Sequence, residues 1–100
     1  MQVTINNLGE KLEAVLQGRL DTAAAPQFNN DIAPLIEQAD KQIVLDCTAL
    51  EFISSSGLRL FLNLRKATMA KGGEVIIKGA SKEIVQVFTI TGFTALFKFE

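Results

Sequence analysis

Apolar and polar residues alternate from Lys11 to Gln17, with Leu12, Ala14 and Leu16 on one face and Glu13, Val15 and Gln17 on the other. A period of two is that of a strand with one buried face. Val3 and Ile5 repeat the pattern more weakly over Gln2 to Asn6. Between the two runs, "NLGE" (Asn7 to Glu10) predicts a hairpin turn, with Gly9 free to take positive φ. "GRLD" (Gly18 to Asp21) ends the second strand. The spacing then becomes helical through Phe28, Ile32, Leu35, Ile36 and Ala39, and Pro26 suits a first helical turn. One helix is predicted over roughly Ala24 to Gln38, kinked at Pro34, whose ring removes the bond to the Asn30 carbonyl.

"QIVLDCTAL" (Gln42 to Leu50) opens on Ile43, Val44 and Leu45, a continuous apolar run of the kind found in parallel or central strands. From Ser55 to about Lys71 the period is again helical. Leu58, Phe61, Leu62 and Met69 fall on one side, and Arg59, Asn63 and Lys66 on the other. Gly72 and Gly73 stop the element. Glu74 to Lys78 predicts a short buried strand. Ser81 then caps a helix with Ile84, Val87 and Phe88 inward, ended near Gly92. The order β-β-α-β-α-β-α, with room for a short terminal strand, predicts an α/β fold. Its mixed sheet has four to five strands, an antiparallel N-terminal hairpin and parallel central strands, packed with three to four helices.

One hundred residues are read as a single domain, 1–100. A formal net charge of −1, with no basic run, gives no field that would draw in nucleic acid. All seven aromatics are Phe, which suits a packed core more than base stacking. No window approaches the roughly 20 apolar residues of a membrane span. The first residues do not read as a signal peptide, so a cytoplasmic location is expected, without membrane insertion. Cys47 has no second cysteine to pair with and reads as a small buried hydrophobe. The absence of histidine removes Ser–His–Asp triads, Cys–His pairs and histidine metal sites. No cofactor and no metal are expected.

The chemistry-bearing stretch is "EFISSSGLRL" (Glu51 to Leu60). Any of Ser54, Ser55 and Ser56 suits the N-cap of the following helix. A helix start with free N–H groups also suits an anion, either bound or attached to a serine, and Gly57 would allow close approach of such a group. Neither P-loop spacing nor GxGxxG is present, so nothing specific points to a nucleotide.

"LDCTALEFISSSGLRLFLNL" resembles the central motif of the STAS family, the anti-sigma factor antagonists and their relatives. In that family a buried strand and a short polar turn lead into Asp-Ser-Ser/Thr-Gly-Leu at a helix start. "GRLD" is similar to the family's GxLD, "KGGEVIIKGAS" to its Gly-Gly-strand segment, and "VFTITGFTALFKF" to its closing pattern. Together these cover nearly the whole chain and imply one STAS domain over 1–100. The resemblance implies a phosphoacceptor at Ser55, with Ser56 in the second hydroxyl position and Gly57 as the motif glycine. Ser54 stands where the family usually has Asp. Asp21 matches the GxLD aspartate and reads equally as a switch-site acid or a helix-entry residue. Leu58, Arg59, Asn63 and Lys66 would extend the switch into a partner-binding face, although each of the polar three also suits an ordinary solvated helix surface.

The implied function is that of an anti-sigma factor antagonist. Unphosphorylated, it binds an anti-sigma factor that is also a serine kinase and so releases a sigma factor. Phosphorylation at Ser55 ends the interaction and a phosphatase restores it. The alternative is an accessory subunit of a larger assembly, such as a lipid-transport ABC complex or a stress-sensing complex, acting without obligatory phosphorylation. A small enzyme with Ser55 as nucleophile is disfavoured, because no histidine and no closely spaced lysine supplies a base. The expectation is a protein that is not an enzyme.

Overall fold

A computed structural model describes residues 1–100. The elements are β1 (Gln2–Asn7), β2 (Lys11–Leu20), α1 (Ala25–Asp31), α2 (Ala33–Glu37), β3 (Gln42–Ile53), α3 (Ser55–Lys71), β4 (Glu74–Lys78), α4 (Lys82–Ile90) and β5 (Lys98–Phe99). A 3₁₀ turn at Thr94–Leu96 precedes β5. The five strands lie in sequence order, β1-β2-β3-β4-β5. β1 and β2 form the antiparallel hairpin, and every later pairing is parallel. Three β-α-β crossovers that all step the same way across a sheet place their helices on one face, because such connections are right-handed. The architecture is therefore two layers, with helices over one side of the sheet.

The covered face is built from Leu12, Ala14, Leu16 and Leu20 on β2, Ile43, Leu45, Cys47, Leu50 and Ile53 on β3, and Val75 and Ile77 on β4. Helix residues Phe28, Ile32, Leu35, Leu58, Phe61, Leu64, Ile84 and Phe88 close over them. Phe61 sits at the centre. Its ring centroid lies 5.9 Å from those of both Phe28 and Phe88, and 6.4 Å from that of Phe97. Three helices and the terminal segment thus meet at one side chain, in tilted and edge-on geometries favoured by the ring quadrupole. On the opposite face Glu13, Val44, Ile76 and Lys98 form one row across the sheet.

Two predicted elements differ. The helix expected over Ala24 to Gln38 is two helices that meet at Ile32, which ends α1 at φ −91°, ψ 0° and begins α2. Pro34 then lies in the first turn of α2, where its missing N–H leaves no bond broken. The proline separates two helices where the spacing suggested a kink in one. β3 also runs on to Ile53, beyond the Leu50 at which its apolar pattern suggests an end. Its register against β2 slips between Val15 and Gln17 and again between Gly18 and Arg19. At each slip β3 contributes one residue more than β2, the mark of a β-bulge. Inward positions therefore recur every third residue, at Cys47, Leu50 and Ile53. On α3, Leu64 is buried and Met69 is 64% exposed, so Met69 belongs to the outer surface and not to the apolar side assigned to it.

Cys47 is fully buried, and burial, reinforced by the neighbouring Asp46 carboxylate, pushes its thiol up to about 12. Native protein at pH about 8 is expected to react with a disulfide reagent only as fast as it opens, since the thiolate is the reactive form. Rapid full labelling without denaturant would contradict this. Phe61→Ala is expected to lower unfolding free energy by about 4 kcal/mol, through lost burial and an unfilled cavity. Urea denaturation checks it, and a loss under about 1 kcal/mol would mean the three helices do not depend on this ring.

Candidate functional site

The site is built where two paired strands end. Leu20, the last residue of β2, pairs with Ile53, the last of β3. The Ser54 N–H donates to the Leu20 carbonyl at 2.8 Å, which carries the pairing one residue past both strands. Ser54 is extended, at φ −87° and ψ 170°, and its Oγ accepts from the Gly57 N–H at 3.2 Å. Its carbonyl accepts from the Leu58 N–H at 2.9 Å. Ser54 is therefore the N-cap of α3, and its N–H, carbonyl and hydroxyl all have partners.

The other two serines are left for different surroundings. Ser55 is the first helical residue and is exposed. The serine hydroxyls that accept bonds within the chain are those of Ser54 and Ser81; those of Ser55 and Ser56 have none. Ser56 is half-buried and faces a groove of about 370 Å³ between α1 and α3, with Thr22, Ala25, Pro26, Asn29, Arg59 and Leu60. Ser55 faces a second groove, of about 210 Å³, between α3 and the end of α4, with Leu58, Arg59, Leu62, Thr91 and Phe93. Arg59 lines both grooves and forms the ridge between them.

Gly57 does not expose backbone to a bound group. It is buried, and a Cβ there would stand 2.7 Å from Leu20 Cγ and 3.2 Å from Ile53 Cγ1. The glycine lets the first turn of α3 rest directly on the ends of β2 and β3. Leu58 is 1% exposed, so it forms the floor of the second groove and not an outward docking contact. Arg59, Asn63 and Lys66 are exposed along one stripe of α3, as their spacing indicates. Asp21 takes the helix-entry position. Its Oδ1 accepts from the Ala24 N–H at 2.9 Å, and its carbonyl accepts from the Ala24 and Ala25 N–H groups.

Thr91 and Phe93 are site residues that spacing alone does not reveal. Gly92, at φ 79°, turns the chain after α4 and sets Phe93 beside α3. The one local signal is the glycine in "TITGF", a helix-stop residue that allows this reversal. The Thr91 hydroxyl is committed to the Val87 carbonyl at 2.8 Å and the Phe88 carbonyl at 3.1 Å. Neither groove holds a carboxylate, a lysine or a histidine to act as base toward Ser55. No group of three or more His, Cys, Asp or Glu side chains is placed to hold a metal. No helix is long and apolar enough to cross a membrane. The arrangement offers two unpartnered hydroxyls at a helix start, of which that of Ser55 is the more exposed, beside one cationic ridge.

The STAS domain profile matches residues 8–100. The chain belongs to the STAS domain family. It is 32% identical over 97 residues to BtrV of Bordetella bronchiseptica, an anti-sigma factor antagonist by name, covering 97% of this chain and 84% of BtrV. It is 29% identical over 84 residues to the anti-sigma-B factor antagonist of Staphylococcus aureus, covering 84% of this chain and 78% of that one. The structure of the anti-sigma factor antagonist SpoIIAA in its unphosphorylated form superposes with a TM-score of 0.81 at 23% identity, over 99% of this chain and 88% of that one. The phosphorylated form of the Bacillus SpoIIAA superposes at 0.74 with 25% identity, over 99% and 91%. The five-stranded mixed sheet with helices is thus the STAS fold.

Because Ser54 is the cap, serine and aspartate are interchangeable there in hydrogen bonding and differ in charge. Ser54→Ala is expected to lose about 1 kcal/mol of stability, and Ser54→Asp to lose none, since its carboxylate also meets the helix dipole favourably. Denaturant titration of the three proteins checks this. Equal losses in both variants would show that the capping bond contributes nothing.

Proposed function

We propose that this STAS domain protein is an anti-sigma factor antagonist of the cytoplasm, switched by phosphorylation of Ser55 and without catalytic activity of its own. Unphosphorylated, it docks through the exposed start of α3 and the two flanking grooves onto an anti-sigma factor that is also a serine kinase. That frees the sigma factor. The kinase transfers the γ-phosphoryl group of ATP to Ser55 Oγ; the hydroxyl proton leaves and ADP is released. A phosphatase hydrolyses the ester and resets the protein.

The observation that carries this reading is the division of labour among the three serines. Ser54 is consumed by the cap; Ser55 and Ser56 both have unpartnered hydroxyls, but Ser56 is half-buried against α1 whereas Ser55 is exposed. The names of BtrV and of the Staphylococcus aureus relative support the regulatory role. A STAS neighbour solved both unphosphorylated and phosphorylated supports a switch that leaves the fold in place. Physically, a phosphate adds about −1.5 to −2 charges. At the first residue of α3 these face the positive end of the helix dipole, so α3 is not melted. The penalty falls on a partner that must cover the phosphate, through bulk and charge.

One observation favours a second reading. The first turn of α3 has no acidic residue, and its cap is Ser54 where the STAS motif it resembles has aspartate. A kinase that reads that carboxylate would find no charge beside Ser55. The same face would then serve an accessory subunit of a larger assembly, such as a lipid-transport or stress-sensing complex, held by protein contacts alone.

Incubation with the cognate kinase, ATP and Mg²⁺ is expected to add one phosphate, seen by intact mass, and none to Ser55→Ala. The phosphoprotein is expected to bind the kinase at least about tenfold more weakly, about 1.4 kcal/mol, with an unchanged far-UV CD spectrum. Phosphate retained by Ser55→Ala would sink the assignment, and unmodified wild type that still binds would support the accessory-subunit reading.

A further inference from the structure

The chain has three arginines, and two of them are engaged. The Arg19 guanidinium lies 4.6 Å from the centroid of the Phe52 ring. The Arg65 Nε–H donates to the Leu96 carbonyl. Arg59 has neither a hydrogen bond nor an ion pair; the one salt bridge in the structure joins Lys98 to Glu74. Acidic side chains offer it little. The first turn of α3 contains none, and the Asp21 carboxylate is bonded to the Ala24 N–H. Arg59 is also exposed, four residues after Ser55 on the same helix. Side chains at i and i+4 are surface neighbours, with roughly 5–6 Å between their Cβ atoms. Both residues line the groove between α3 and α4, and Arg59 alone of the two also lines the groove between α1 and α3.

We propose that Arg59 is the intramolecular receptor for a phosphate on Ser55, turning into the α3/α4 groove to pair with it and leaving the α1/α3 groove without its cation. This rests on the assignment of Ser55 as phosphoacceptor. A guanidinium presents a planar fork of donors that matches phosphate oxygens two at a time, and such charge-assisted bonds are stronger than neutral ones. The order is the favourable one, with the anion N-terminal to the cation at i, i+4. Phosphorylation then changes the docking face twice: a dianion is added at the rim of one groove, and an arginine is withdrawn from the other. A partner acid that met Arg59 in the α1/α3 groove would lose its counter-charge.

The test needs no kinase. Phosphoserine is placed at position 55 during translation, and its ³¹P resonance is followed against pH in low salt. A free phosphoserine titrates near about 6. In the otherwise wild-type protein the midpoint is expected about 0.3 pH unit below that of Arg59→Gln, the size of an exposed i, i+4 ion pair. Arg59→Lys should fall between them, and Lys66→Gln should match wild type. The difference should shrink at high salt. Equal midpoints for wild type and Arg59→Gln, or an equal displacement in Lys66→Gln, would overturn the proposal. Arg59 is exposed and without partners, so these variants fold. If the kinase fails to modify Ser55, the phosphoacceptor assignment falls, whereas this titration still decides whether Arg59 receives the phosphate.

Discussion

The contact that the rest of the site depends on is the seat of Gly57 on Leu20 and Ile53. A side chain at 57 would meet Leu20 Cγ at 2.7 Å and Cδ2 at 2.8 Å, so the helix start comes as close to the strand ends as a backbone can. Leu20 and Ile53 are themselves paired across β2 and β3, and both are buried. The seat therefore joins the three elements with the largest stake in the core. It also fixes the position of everything after it. With Gly57 held and Ser54 bonded to the Leu20 carbonyl, Ser55 has no freedom to turn inward. Its exposure is a consequence of the packing beneath it.

Much of this was legible in the residue pattern. The period of two over Lys11 to Gln17, the apolar runs at Ile43 and Val75, and the helical spacing after Ser55 reflect burial on regular elements, which periodicity reports directly. The harder features are those where backbone geometry breaks the period. In β3 two bulges convert alternate inward positions into every third, at Cys47, Leu50 and Ile53, so the strand continues through sequence that does not look like one. Around Pro34 the apolar spacing persists across a break, because α1 and α2 press the same side of the sheet; only the position of the break at Ile32 distinguishes two helices from one kinked helix.

The site follows the same division. The three serines and Gly57 are contiguous, so their placement at a helix start could be read from the chain. Which serine caps could not, because all three are chemically competent; the answer comes from where β3 ends, two bulges later than its pattern suggests. Leu58 and Phe61 lie on the buried side as their spacing indicates, and Met69 does not. The buried stripe of α3 runs through Leu58, Phe61, Leu64 and Thr68, and Met69 falls just outside it. Thr91 and Phe93 are joined to the site only by tertiary contact, which no local period encodes.

Serine at position 54, where the motif it resembles would place aspartate, has a physical meaning once the cap is seen. Both residues accept a bond from the first helical turn, so the geometry of the seat survives the exchange. What differs is charge: with serine as the cap, neither the cap nor the first turn of α3 carries an acidic side chain. A phosphate added there meets no like-charged neighbour in the turn and an unpaired cation one turn on. The core beneath leaves little room to register such a group. Ser54 is saturated with partners, Gly57 has no space to move inward, and Leu58 is sealed. A close-packed interior transmits displacement only where a second packing exists. On the proposed reading, a phosphate at Ser55 would therefore be read from outside, as a change in the charge and shape of the surface around α3.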